Sequence, residues 1–99
     1  MSEQKLQTKI LKWLKANGFW VFKTVVCNRN GIPDIVGCTP KGRFFAIEVK
    51  FGSNKPSKLQ EWNIQEIQKV GGIAFAAWDL ETVVRLLEQE TIPALEHDA

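Results

Sequence analysis

Gly31-Ile32-Pro33-Asp34-Ile35-Val36-Gly37-Cys38-Thr39-Pro40-Lys41-Gly42-Arg43-Phe44-Phe45-Ala46-Ile47-Glu48-Val49-Lys50 is the stretch that decides the fold. Ile35 to Cys38 reads as one short strand. Thr39 to Gly42 reads as a turn, with Pro40 presetting φ and Gly42 free to take a positive one. Arg43 to Lys50 reads as a second strand, dense in Phe, Ile and Val. Side chains alternate along a strand, so Glu48 and Lys50 share one face while Phe45, Ile47 and Val49 share the other. A tight turn makes the pair antiparallel and brings Asp34, at the start of the first strand, toward Glu48, near the end of the second. Two carboxylates and one ammonium then converge at one place on the sheet.

Two carboxylates at hydrogen-bonding range repel unless a cation lies between them, and a divalent metal fills that role. Asp and Glu oxygens are hard ligands suited to magnesium or manganese. Such a metal supplies an activated water and charge stabilisation for phosphodiester hydrolysis, with Lys50 orienting the water or neutralising the phosphate. Taken singly, Glu-x-Lys on a strand is an ordinary solvated ion pair and Pro-Asp an ordinary turn. The combination across one hairpin carries the argument.

Gly31-Ile-Pro-Asp34, Ile47-Glu-Val-Lys50 and Ser57-Lys-Leu-Gln60 followed by Trp62 resemble the PD-(D/E)XK nucleases, and within them the VRR-NUC branch, the virus-type replication-repair nucleases. The resemblance runs from Glu3 to about Leu87. It implies that Asp34 and Glu48 bind one or two magnesium or manganese ions, with the Val49 carbonyl as a further ligand, and that Lys50 positions the attacking water. It also implies that Gln60 contacts substrate or a bound water, and that Glu3, an acid on the first helix, joins the site. Glu3 equally suits a helix N-terminus on electrostatic grounds alone. The products implied are a 5′-phosphate and a 3′-hydroxyl.

Ninety-nine residues make one domain. The expected boundaries are 1–89 for the domain and 90–99 for a loose tail with one proline and several acids. No secretory leader and no membrane-spanning run is read in the chain, so a cytoplasmic protein is expected. Cys27 and Cys38 suit neither a disulfide framework nor a zinc spacing. His97 is the single histidine and lies near the C-terminus, which disfavours His-based nucleophilic triads. There is no Gly-rich phosphate loop.

Residues 1–60 hold eleven Lys and Arg against three acids, namely Glu3, Asp34 and Glu48, while residues 61–99 hold two against eight. A basic half whose few acids include the candidate ligands fits a polyanionic substrate. Arg29, Lys55, Lys58, Lys5 and Lys9 are the candidate DNA contacts, with ordinary solvated charge as the alternative for each.

Ser2 caps a predicted helix to about Asn17, with Leu6, Ile10, Trp13 and Leu14 as its apolar stripe. Phe19 to Val26 reads as a first strand, apolar on both faces except at Lys23 and Thr24, as suits a strand largely covered by helices. Ser57 and Gln60 form a capping-box pattern opening a second long helix. Its expected inner face is Leu59, Trp62, Ile67 and Val70, with Trp62 in the core rather than a base-stacking platform. Gly71-Gly72 ends it, Ile73 to Trp78 is a fourth strand joined by a right-handed parallel crossover, and Leu80 to about Gln89 is a last helix. The order αβββαβ(α) makes an α/β fold, a mixed four-stranded sheet flanked by helices. The resemblance names that fold restriction-endonuclease-like.

The expected activity is a metal-dependent DNA endonuclease. By the resemblance it is a Holliday-junction-resolvase-like homodimer on branched DNA. Flap or single-strand nicking is the alternative within that class. A non-cleaving nucleic-acid-binding module is the alternative outside it, and a small interaction protein without nucleic-acid affinity is a third.

Overall fold

The computed structural model describes residues 2–91. Its elements are α1 (Glu3–Ala16), β1 (Trp20–Lys23), β2 (Ile35–Cys38), β3 (Phe44–Val49), α2 (Lys58–Lys69), β4 (Ile73–Ala77) and α3 (Leu80–Leu87), closed by a 3-10 turn at Glu88–Glu90. The sheet order is β1-β2-β3-β4. β1 and β2 are antiparallel, as are β2 and β3, and β4 runs parallel to β3. This is the mixed sheet expected from the sequence. Among the described residues no helix is long and apolar enough to cross a membrane.

Local chemistry fixes each boundary. Ser2 caps α1 by accepting the Lys5 N–H at 3.1 Å. The β2–β3 turn closes through Gly42 N–H to the Thr39 carbonyl at 2.8 Å, and the Thr39 hydroxyl accepts the Arg43 N–H. The capping box on α2 is complete: the Ser57 hydroxyl accepts the Gln60 N–H, and Gln60 Oε1 accepts the Ser57 N–H. Asp79 caps α3 through the Thr82 N–H.

The two faces of the sheet carry different cores. Leu6, Ile10 and Leu14 of α1 pack with Val83 and Leu87 of α3 onto Ile35, Phe45, Ile47 and Val49. Phe19 meets Phe45 edge-on, with ring centroids 5.4 Å apart. Across the sheet, Ile64 of α2 packs on Val36, Ala46 and Ala74. The parity read from the sequence holds: Phe45, Ile47 and Val49 lie under α1 and α3, while Ala46 and Glu48 face the α2 side.

Two expectations are corrected. The first strand is four residues long, not eight, and its α2-side face is open, with Trp20 67% exposed and Phe22 half exposed. α2 lies over β3 and β4, so this helical layer stops short of β1. Val25 and Val26 beyond the strand are solvent-exposed. The inner face of α2 is also rotated from the expected one. Its buried residues are Asn63 and Ile64, whereas Leu59 and Trp62 are half exposed and Val70 is 86% exposed. Trp62 is therefore not a core residue. Small Ala46 and Ala74 beneath the helix leave Ile64 as its central contact.

Of the expected tail 90–99, residues 92–99 fall outside the described residues. Glu90 is engaged: Oε1 accepts the Thr39 hydroxyl at 2.9 Å and Oε2 lies 3.8 Å from the Arg43 guanidinium.

Candidate active site

The register Ile35↔Ile47 sets Asp34, just before β2, opposite Glu48 on β3. On the other side of Glu48 the β4 residue in register is Ala76, whose methyl offers it no hydrogen bond. Three hydrogen bonds from two residues hold Asp34 and the Pro33 before it. Its Oδ2 accepts the Val49 N–H at 2.9 Å. Its carbonyl accepts the Thr24 N–H at 2.8 Å, and the carbonyl of the preceding Pro33 accepts the Thr24 hydroxyl at 2.7 Å. Thr24 thus leaves the end of β1 to hold the Pro-Asp step in place.

Glu48 is 1% exposed, and its Oε1 has no hydrogen-bond partner. Its Oε2 lies 3.4 Å from Lys50 Nζ, itself mostly buried. The Glu48 carboxyl is pushed up to about 8, first by burial and then by the neighbouring Asp34 carboxyl, with Lys50 opposing both. Two ionised carboxyls in hydrogen-bonding contact have no proton to share. Either one is protonated or a cation lies between them. A buried, unpartnered carboxylate oxygen beside a second carboxylate, next to the main chain of Val49, is a donor set that fits magnesium or manganese. Lys50 alone leaves one carboxylate uncompensated.

The remaining candidates divide by layer. Ser57, Lys58 and Gln60 open α2, on the side of the sheet that carries Glu48. Gln60 spends its Oε1 on the cap, which leaves its amide nitrogen for other partners. Lys55 lies exposed in the loop after β3, a loop tied to the end of β4 by the Trp78 indole N–H donating to the Asn54 carbonyl at 2.8 Å. Lys5 and Lys9 are exposed on α1, across the sheet from α2. The five candidate cations therefore do not form one patch. Glu3 sits partly buried in the first turn of α1. Among the described residues no three His, Cys, Asp or Glu side chains gather into a metal-binding group, so Glu3 does not join Asp34 and Glu48 in one cluster.

Asn63 escaped the sequence reading. It is buried, and its side-chain amide donates to the carbonyls of Asn30, Gly31 and Leu59 at 3.1–3.2 Å. Its Oδ1 accepts from the Arg29 guanidinium at 3.4 Å. Asn63 clamps the loop that delivers Pro33 and Asp34 onto α2. Gly31 permits the close approach: its φ is +74°, and a Cβ there would lie 2.6 Å from Leu59 Cγ. A polar residue four positions after Leu59 and four before Ile67, within the apolar stripe, was the available signal.

The fold is thus an α/β domain whose four-stranded mixed sheet carries an acid-acid-lysine set at the junction of its two central strands. The VRR-NUC domain profile matches residues 1–78. A solved structure described as a VRR_NUC domain superposes with a TM-score of 0.75 at 26% identity, covering 89% of this chain and 97% of the other. A second, described as a VRR_NUC domain protein, gives 0.71 at 20% identity, covering 91% and 88%, and speaks for the fold alone. No curated protein matches the chain significantly. The chain belongs to the VRR-NUC domain family, a family of nuclease domains.

Proposed function

We propose that the chain is a magnesium- or manganese-dependent DNA endonuclease that hydrolyses phosphodiester bonds, selects branched DNA and works as a homodimer. The observation that carries this reading is the buried Glu48 carboxylate, unpartnered at Oε1 and set against Asp34 and Lys50. Asp34, Glu48 and the Val49 carbonyl would hold the metal, which when bound supplies Lewis-acid stabilisation of charge on the phosphoryl group.

The chain's own residues do the rest. The Val49 N–H fixes the Asp34 carboxylate, so its orientation survives any loss of the partner charge. Lys50 keeps a positive charge where negative charge grows on the phosphate, and its ammonium can orient the attacking water. The Gln60 amide nitrogen and the unpaired N–H groups of the first turn of α2 offer donors to a phosphate oxygen. Arg29, Lys55 and Lys58 neutralise backbone phosphates. Lys5 and Lys9, on the other layer, suit a second arm of a branched duplex better than the strand being cut. A two-fold dimer presents two sites for paired cuts, and two-fold symmetry is the commonest arrangement of soluble homo-oligomers.

Labelled four-way junction, flap, linear duplex and single-stranded DNA, each with magnesium, manganese or chelator, test the reading beside Asp34→Ala and Lys50→Ala. Cleavage that needs metal and disappears in both variants is the expected result, with the junction cut fastest. Binding without cleavage in every metal overturns the enzyme. A monomer mass by light scattering at micromolar concentration overturns the paired-cut arrangement.

A further inference from the structure

A cleft of about 380 Å³ lies between the loop before β2, the α2 side of the sheet and the outer flank of α2. That is the size range of pockets for small organic groups, about 300–1,000 Å³. Val36, Phe44, Ile67 and Val70 form apolar walls, and Arg29 and Asn63 form a polar end. Asp34 and Glu48 do not line it, but Pro33, the residue directly before Asp34, does. One end of the cleft therefore lies a single residue from Asp34 along the chain.

Its polar end is built. Asn63 is buried, and with its amide nitrogen committed to main-chain carbonyls its Oδ1 turns to the Arg29 guanidinium. Arg29 has no carboxylate partner among the described residues. Glu66, which also lines the cleft, is paired with Lys69 at 2.9 Å. The available charge at the mouth is thus positive. Phe44 is half exposed beside it. An aromatic wall, aliphatic neighbours and a guanidinium without a carboxylate partner among the described residues match a group that is flat and apolar on its faces and anionic where it joins its chain. A nucleotide has that form, and aromatic rings with cations are how single strands are held.

We infer that this cleft receives one unpaired base of the DNA strand, with Arg29 on the adjoining phosphate. The inference rests on the nuclease reading for its DNA substrate but not on catalysis. A paired base is stacked on both faces and cannot enter without leaving the duplex. A base freed at a branch enters without that cost, and the cleft thereby gives the neighbouring carboxylates a preference for unpaired nucleotides.

The test uses three duplexes of one sequence: one with a single unpaired adenine, one with an abasic unit there and one fully paired. Binding is read by fluorescence anisotropy in chelator, so that nothing is cut. The full chain should bind the unpaired adenine about ten-fold tighter than the abasic unit, the worth of one stacked base. Val70→Arg, on a side chain that is already exposed, should bring that ratio to about one while its melting temperature stays near wild type. Arg29→Ala should weaken all three duplexes and flatten the salt dependence, because a phosphate contact carries no base information. Equal affinities for adenine and abasic duplexes, a ratio that survives Val70→Arg, or no binding to any duplex each overturns the inference. Adding magnesium or manganese to the same complexes reads the nuclease separately: an intact ratio without cleavage sinks the enzyme and leaves the cleft.

Discussion

The two faces of the sheet obey different rules. Under α1 and α3 the chain packs Ile10, Leu14, Ile35, Phe45, Ile47, Val49, Val83 and Leu87, all essentially without exposure. On the α2 side the same strands carry Ala46, Glu48 and Ala74, a helix that covers half the sheet, a clamp made by Asn63, and open aromatic surface at Trp20 and Phe22. One face stabilises the fold. The other gives up apolar burial to hold a charged pair in a dry setting, where each charge has more effect than in water. Stability and chemistry are separated by the thickness of one β-sheet, and consecutive residues Ile47 and Glu48 of β3 serve the two roles.

Mutations that respect the alternation should split cleanly. Glu48→Gln keeps size and burial and removes the charge. Cleavage should fall by about 10²–10³-fold or more, as when a group stabilising transition-state charge is lost, while the chelated protein melts no lower than wild type. Phe45→Ala, three residues away on the opposite face, should cost about 3–5 kcal/mol in urea unfolding through the cavity it leaves. Finding that Glu48→Gln also unfolds the protein would break the division, because the carboxylate would then be holding the fold.

The alternation was legible because side chains on any β-strand alternate in facing, and one turn with Pro40 and Gly42 fixed the pairing of β3 with β2. Parity and register together placed Asp34, Glu48 and Lys50. The extent of coverage was not legible. Trp20, Phe22, Val25 and Val26 read as strand core, and Leu59, Trp62 and Val70 as helix core. Apolar side chains signal burial only if something lies over them, and the reach of α2 depends on where the helix lands. Asn63 was missed for the complementary reason: a buried amide is recognised by the carbonyls it meets, and those lie about thirty residues away in the loop before Asp34.

A third prediction follows from the charge on the chemical face. The Glu48 carboxyl is pushed up to about 8 in the folded chain, against its ordinary 4.5 when unfolded. Between those values the unfolded chain binds fewer protons than the folded one, so stability falls as pH rises from about 5 to about 8. Thermal melts of chelated protein should show that decline, and Glu48→Gln should flatten it. A divalent metal held by Asp34 and Glu48 would compete with the proton on Glu48, so added magnesium or manganese should raise the melting temperature more at pH 8 than at pH 6. A metal-free protein whose stability climbs steadily over this range would mean that Glu48 is ionised and compensated without metal.

Asn63→Ala comes next in size. It removes the clamp between α2 and the loop before Asp34 and leaves main-chain carbonyls of that loop without their partner, at about 1–3 kcal/mol. Because Thr24 and the Val49 N–H still brace Asp34, cleavage should weaken several-fold rather than vanish, and it should recover in part with Asn63→Gln if the longer side chain still reaches the loop. Loss as complete as in Asp34→Ala would make Asn63 the sole support of the aspartate.

The smallest effect belongs to the open part of the chemical face. Trp20 is a large apolar side chain at the sheet edge that meets the Phe22 ring edge-on, with centroids 5.4 Å apart. Trp20→Ser removes little that is buried within one chain, so dilute protein should lose no more than about 0.5 kcal/mol in urea unfolding. The same position reports on whatever covers this face. A second copy packed across β1 would bury Trp20, and unfolding would then depend on protein concentration in wild type but not in Trp20→Ser. Concentration-independent unfolding of both proteins leaves this face to solvent and requires any homodimer to form elsewhere.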